Sequence, residues 1–236
     1  MFRLFALVSV WLLTLGCGPD APVPVPLPPA ATPAPAPVGT RRFLALGDSY
    51  TIGQGVPAAD RWGVQLAWLA QAEGLRKPDI IARTGWTTEQ LREAIVAANP
   101  PASYELVSLM IGVNNQFQGL PLAEYRNDFR ELLHMAIRLA GGRPGRVLVL
   151  SIPDWGQSRV GRSHAQASIS QEINQFNAAA RQECTAAGVA FLDITDLTRT
   201  TGYDPAQFAP DGLHYSGLHM QQWAIRALPV VRRLVQ

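Results

Sequence analysis

The chain has 236 residues, 47% of them hydrophobic, enough for a sizeable core in one large domain or two small ones. Its 20 Lys and Arg against 18 Asp and Glu leave a formal charge of +2, and no basic stripe interleaves with aromatics, which argues against nucleic acid as a partner. No apolar run after the first residues reaches the length of a transmembrane helix.

Met1-Phe2-Arg3 carries a small positive charge, and Leu4 to Leu15 is nearly all apolar. That is the layout of a secretory signal, too short to span a bilayer comfortably. It ends at Leu13-Thr14-Leu15-Gly16-Cys17, which resembles a bacterial lipoprotein signal: Gly16 fits the small residue required before the cysteine, while Thr14 stands where Leu is usual. The resemblance implies that residues 1–17 are a signal, that Cys17 carries lipid, and that the protein is exported to a bacterial envelope. An ordinary signal peptide or a plain anchor are the alternatives, the former leaving a secreted protein. With Cys17 lipidated, Cys184 alone remains, so neither an intramolecular disulfide nor a thiolate metal cluster is expected. Residues 18–38 are Pro, Ala and Val with little else, a polyproline II spacer that would hold a domain off the membrane. The folded body is expected over residues 39–236.

There, strand and helix patterns alternate. Arg42 to Gly47 reads as a first strand; Trp62, Leu66, Leu69 and Ala70 recur at helical spacing, and Gly74 closes that helix. Asp79 to Ala82 is a short second strand. Thr87 and Gln90 have capping-box spacing, ahead of a stripe of Leu91, Ile95 and Ala98 that Asn99-Pro100-Pro101 terminates. Tyr104 to Ile111 is apolar enough for a central strand covered on both faces. A long amphipathic helix follows from Leu122 to Ile137, then a strand over Arg146 to Ile152. Ile169, Ile173, Phe176, Ala180 and Cys184 form another helical stripe, Val189 to Ile194 a fifth strand, and Ser216 caps a last helix running through Leu228. Strands separated by such helices predict a parallel sheet with helices on both faces, in one α/β domain.

Functional side chains in such sheets stand after the carboxyl ends of strands. Those positions hold Gly47-Asp48-Ser49, then Arg83-Thr84-Gly85-Trp86-Thr87, then Gly112-Val113-Asn114-Asn115, and, before the last helix, Asp211-Gly212-Leu213-His214. Alone, Gly-Asp-Ser reads equally as a strand-ending turn. Together the clusters hold a hydroxyl nucleophile, backbone and amide donors, an acid and a base. Serine needs a neighbouring base, and His214 has a carboxylate three residues earlier that can reach its Nδ1 and leave Nε2 facing a hydroxyl. Gly85 and Asn114 offer N–H donors to a developing oxyanion.

These four blocks resemble those of the SGNH (GDSL-type) hydrolases, in the family's order from about Arg42 to the C-terminus. The resemblance implies a three-layer α/β/α sandwich around a five-stranded parallel sheet, flavodoxin-like in order. It assigns the nucleophile to Ser49, the base to His214 and the orienting acid to Asp211, with an oxyanion hole of Ser49 N–H, Gly85 N–H and the Asn114 amide. The family's third block usually reads Gly-x-Asn-Asp, and Asn115 departs from it, which bears on loop bracing. No Gly-x-Ser-x-Gly occurs, against the larger α/β-hydrolase fold.

Trp86, Asn115, Gln116, Phe117, Asp154 and Trp155 follow strand ends as possible substrate-lining residues. His134 is expected to be solvated, His219 structural, His164 without metal partners, and Cys184 an inert core thiol. The expected activity is hydrolysis of carboxylic esters, short-chain or acetylated carbohydrate, through an acyl-serine, by a monomer without metal or organic cofactor. Membrane contact is expected only through the N-terminal anchor. Acyl transfer to a sugar or alcohol is the rival chemistry, and an inactive carbohydrate-binding module the rival class.

Overall fold

The computed structural model describes residues 39–200 and 204–236; the signal, Cys17 and the Pro-rich linker lie outside the described residues. The first strand, β1 (Phe43–Gly47), is buried at every position. Its apolar run is bounded by arginines before it and by Gly47-Asp48-Ser49 after it. A side chain at residue 47 would put its Cβ 2.4 Å from the Met110 carbonyl oxygen and 2.2 Å from Thr51 Oγ1, so only glycine lets the chain turn here against the neighbouring strand. Asp48 then caps α1 (Ser49–Ile52), its carboxylate accepting from Tyr50 N at 3.0 Å.

The remaining strands are β2 (Asp79–Ala82), β3 (Leu106–Met110), β4 (Val147–Leu150) and β5 (Ala190–Leu192). All pair in parallel in the order β2-β1-β3-β4-β5, the flavodoxin-like order expected. The principal helices are α2 (Trp62–Leu69), α3 (Thr88–Ala98), α5 (Leu122–Leu139), α6 (Gln166–Ala187) and α8 (Gly217–Leu234), with short helices α4 (Val113–Phe117) and α7 (Thr195–Arg199). α2 packs on α8, and α5 packs on α3 and α6, giving the helical layers of a three-layer sandwich. Each brings an apolar stripe: Leu91 and Ile95 from α3, Tyr125, Phe129, Leu132 and Leu133 from α5, Trp223 and Val231 from α8. The Gln90 side chain accepts from Thr87 N at 3.0 Å, as the capping-box spacing predicted.

The last helix outruns its expected end at Leu228, continuing past Pro229 to Leu234. Proline there removes one bond to the Ile225 carbonyl. Ile225 is exposed, so water can satisfy that oxygen, and burial of Ala227 and Val231 holds the helix together. The short helices α1, α4 and α7 escaped the periodicity reading because four or five residues carry no 3.6-residue signal.

The strand order reverses direction between β1 and β3. The loops leaving these strands carry Ser49 and Asn114, so both stand at the topological switch point.

Candidate active site

Four loops converge on a cleft of about 130 Å³ lined by Ser49, Gly85, Asn114 and His214 together with Tyr50, Thr84, Val113, Phe117, Trp155 and Leu213. Ser49 opens α1, where the first-turn N–H groups have no partner within the helix. Gly85 adopts φ +85°, and a Cβ placed on it would meet nothing within 4 Å, so its backbone lies open to the cleft. The Asn114 amide donates to the Trp86 carbonyl at 2.9 Å. That bond uses one of its two N–H groups and fixes the direction of the other.

The loop that carries His214 is braced by Asp211. One carboxylate oxygen accepts from Leu213 N and His214 N, each at 2.9 Å, and the other lies 2.6 Å from His214 Nδ1. Burial would raise the Asp211 pKa, but the hydrogen bonds from the His214 ring and these backbone groups outweigh it and hold the carboxyl below its usual range. A carboxylate on Nδ1 keeps the proton there and leaves Nε2 as an acceptor. The ring of Tyr50 lies 5.3 Å from that of His214 and contacts Tyr215 and Trp223, so a buried aromatic cluster backs the imidazole. Ser49 and His214 share the cleft without a hydrogen bond between them; such bonds commonly tighten only in the substrate complex. The arrangement can deprotonate a hydroxyl and offer three N–H donors to an oxyanion.

Of the six residues read as possible lining, Phe117 and Trp155 line the cleft, their rings 5.1 Å apart edge to face. The other four do not. Trp86 packs partly buried against the core and serves through its carbonyl. Asn115 is buried and holds Thr88 at the start of α3, accepting from its backbone N at 3.1 Å and donating to its hydroxyl at 2.8 Å; that hydroxyl donates on to Asp128. The bracing that the missing block-three aspartate put in question is thus made by the amide itself. Gln116 is also buried, accepting from Trp155 Nε1 at 2.7 Å and donating to Glu172 at 2.8 Å. Asp154 is fully buried beneath the cleft, where its carboxylate accepts from Ser170, Arg199 and Gly156. Local sequence spacing carried no sign that these residues face inward, because Thr88, Trp155, Arg199 and Glu172 lie 27 to 56 residues from the groups they hold.

Tyr50, Thr84, Val113 and Leu213 line the cleft without having been singled out; each is a neighbour of a motif residue, which was the available signal. Asp48 is fully buried and one of its oxygens has no partner. Burial raises its pKa to about 7 against the hydrogen bond from Tyr50 N. His134 is exposed. His219 is buried, stacked 4.5 Å from Tyr215 with Nδ1 3.0 Å from Gln207, and burial lowers its pKa to about 4. Buried Cys184 has a thiol pushed up to about 12, unreactive. Among the described residues no group of three or more His, Cys, Asp or Glu could hold a metal ion, and no helix is long and apolar enough to cross a membrane.

A model of the GDSL-like lipase/acylhydrolase family matches residues 45–221, the segment that runs from β1 through the Asp211–His214 loop into α8. The chain belongs to this family, and with it to the ester-bond hydrolases. Solved structures share its fold. A lipase/acylhydrolase from Enterococcus faecalis is 20% identical with a TM-score of 0.59, over 82% of this chain and 96% of that one. The acetylxylan esterase Axe2 from Geobacillus stearothermophilus is 19% identical with a TM-score of 0.62, over 82% and 95%. TesA is 17% identical with a TM-score of 0.60, over 82% and 99%. No curated protein sequence matches the chain significantly.

Proposed function

We propose that the protein is an exported serine esterase that hydrolyses small carboxylic esters, with acetylated carbohydrate as the substrate class. His214 takes the Ser49 proton as the hydroxyl attacks the ester carbonyl. The oxyanion rests on the N–H groups of Ser49 and Gly85 and on the Asn114 amide. The alcohol leaves with the proton from His214, and water, activated by the same ring, releases the acid from the acyl-serine. Asp211 keeps the ring in the reacting tautomer.

The observation that carries this reading is the Asp211–His214 contact of 2.6 Å at the edge of a cleft that also holds Ser49. A short acyl group is supported by the size of the cleft, about 130 Å³, small beside the roughly 300–1,000 Å³ of pockets that enclose larger ligands. Phe117 and Trp155 wall one side of it, an apolar boundary suited to a short chain. The sugar component rests on the fold shared with Axe2, an acetylxylan esterase. Export and lipid attachment rest on the N-terminal segment ending at Cys17.

The test is turnover of p-nitrophenyl esters of increasing chain length and of acetylated xylo-oligosaccharides, with Ser49→Ala alongside. Hydrolysis of the acetyl compounds that vanishes in Ser49→Ala is the expected result. Undiminished turnover by that variant would remove Ser49 from the chemistry, and a preference for long acyl chains would overturn the substrate class. Incorporation of a fatty-acid analogue that is lost in Cys17→Ala tests the anchor.

A further inference from the structure

In a parallel sheet every strand begins at the same end, so the segments preceding the strands form one face and the cleft lies at the other. Here that amino-terminal face is cationic. Arg41 and Arg42 precede β1, and Arg76 and Lys77 precede β2, joined to them by the Arg76 N to Arg41 O bond of 2.9 Å. Arg143 and Arg146 precede β4. The C-terminal ends of two helices return to the same face: Tyr104 N donates to Leu139 O at the end of α5, beside Arg138, and Arg41 donates to Val235 O after α8, whose last turn holds Arg232 and Arg233.

Acid on this face is scarce. Asp79 pairs with Arg42 at 3.2 Å, Glu73 with Arg232 at 2.6 Å, and Glu105 accepts from the backbone of Arg42. Arg76, Lys77, Arg138 and Arg233 are exposed and their side chains have no partner among the described residues. Arg146 adds an independent sign of crowding. Burial lowers its pKa, and the charges of Arg143 and Arg41 lower it further. The net charge of +2 therefore conceals a polarised molecule.

We propose that this face docks on an anionic phospholipid surface, holding the catalytic cleft at the far end, toward the aqueous phase. The linker joins the domain at Gly39, on this same face, so a chain tethered through Cys17 can turn its unpaired cations to the membrane that holds it, provided the Pro-rich linker lies along the surface instead of standing the domain off it as its composition alone led us to expect. The proposal thus rests on the N-terminal anchor reading, and is independent of the reaction at Ser49. Roughly 15 Å of strand separates face from cleft. Esters of the surrounding phase, rather than those of the bilayer bearing the enzyme, then meet Ser49.

Lys77 is the chain's lone lysine and reports on the face directly. The full chain is bound to vesicles of phosphatidylcholine alone or with phosphatidylglycerol, and acylation of Lys77 by an amine-reactive ester is followed by peptide mapping. Acylation at least about fivefold slower on the anionic vesicles is expected, since each cation near such a surface strengthens contact by about that factor. The difference should vanish at high salt, and should shrink in the triple variant Arg76→Gln/Arg138→Gln/Arg233→Gln, whose turnover of a soluble ester stays unchanged. Equal Lys77 labelling on neutral and anionic vesicles at low salt overturns the proposal. Protection by single-stranded RNA but not by vesicles also overturns it, in favour of a nucleic-acid partner. Absence of ester hydrolysis in the parent protein would count against the proposed reaction alone, because the labelling does not depend on turnover.

Discussion

Asp48, one residue before the proposed nucleophile, is the most costly side chain near the site. Its carboxyl is fully buried with its pKa raised to about 7, so the folded state favours the neutral form. The stability it contributes is present in full below about pH 4 and is lost as pH rises from there to about 7, by up to about 4 kcal/mol for a shift of that size. Asp48→Asn keeps an oxygen to accept from Tyr50 N and removes the charge. Thermal melts should show it gaining on the parent at pH 8 and converging with it at pH 4. Identical gains at both pH values would mean that Asp48 is not titrating in this range. At the residues proposed to carry the reaction, Asp211→Asn should lower kcat by roughly a factor of 10² to 10⁴, since an amide on Nδ1 permits the wrong tautomer. Asn114→Ala should lower kcat about 10² to 10³ with KM little changed, as expected of a donor used in the transition state. Steady-state kinetics on a chromogenic acetate ester checks both.

The elements explain why these side chains meet. Gly112 sits at φ +123° where β3 turns into α4, and a side chain there would put its Cβ 2.4 Å from the Tyr125 ring. α4 can therefore start where it does, with Asn114 at the cleft and Asn115 turned under it toward Thr88. Because Asn115 serves only the loop, Asn115→Ala should cost about 1–3 kcal/mol in a denaturant melt by leaving Thr88 N unsatisfied. Its kcat should fall through displacement of Asn114, with the pH profile unmoved. In the same layer, Glu183 of α6 is buried between Arg126 and Arg130 of α5, at 2.6 and 2.7 Å. The hydrogen bond from Arg130 is the largest influence on it, and with Arg126 it holds the carboxyl down at about 2 against the cost of burial. The stability it contributes is present above about pH 4.5 and lost as pH falls toward 2. Glu183→Gln should flatten the acid limb of the stability profile and leave the range above pH 5 unaltered in shape.

For the whole molecule these two carboxyls act in opposite directions. Glu183 weakens the fold below about pH 4.5 and Asp48 weakens it as pH rises toward about 7, while His219, whose pKa burial lowers to about 4, weakens it as pH falls below about 6.5 and so offsets Asp48 across that range. The fold separates tasks in space: loops after the strands hold the proposed catalytic set, and segments before them hold more cations than carboxylates.

Much of this was legible in the chain. Five apolar strand runs, the intervening helical stripes and the four polar clusters at strand ends needed only local periodicity and turn chemistry, because each signal spans a few residues. The spacing of Asp211 and His214 was likewise local, and the contact between them is a three-residue reach. Tertiary structure alone decided which neighbours of the motifs face the cleft. Asn115, Gln116 and Asp154 follow strand ends just as Phe117 and Trp155 do, yet they turn inward because Thr88, Glu172 and Arg199 wait there, at separations no sequence window covers. It also decided the burial of Asp48, since the desolvation that raises its pKa comes from elements packed around β1. And it gathered arginines from distant segments onto one face, because parallel pairing puts every strand's beginning at the same end.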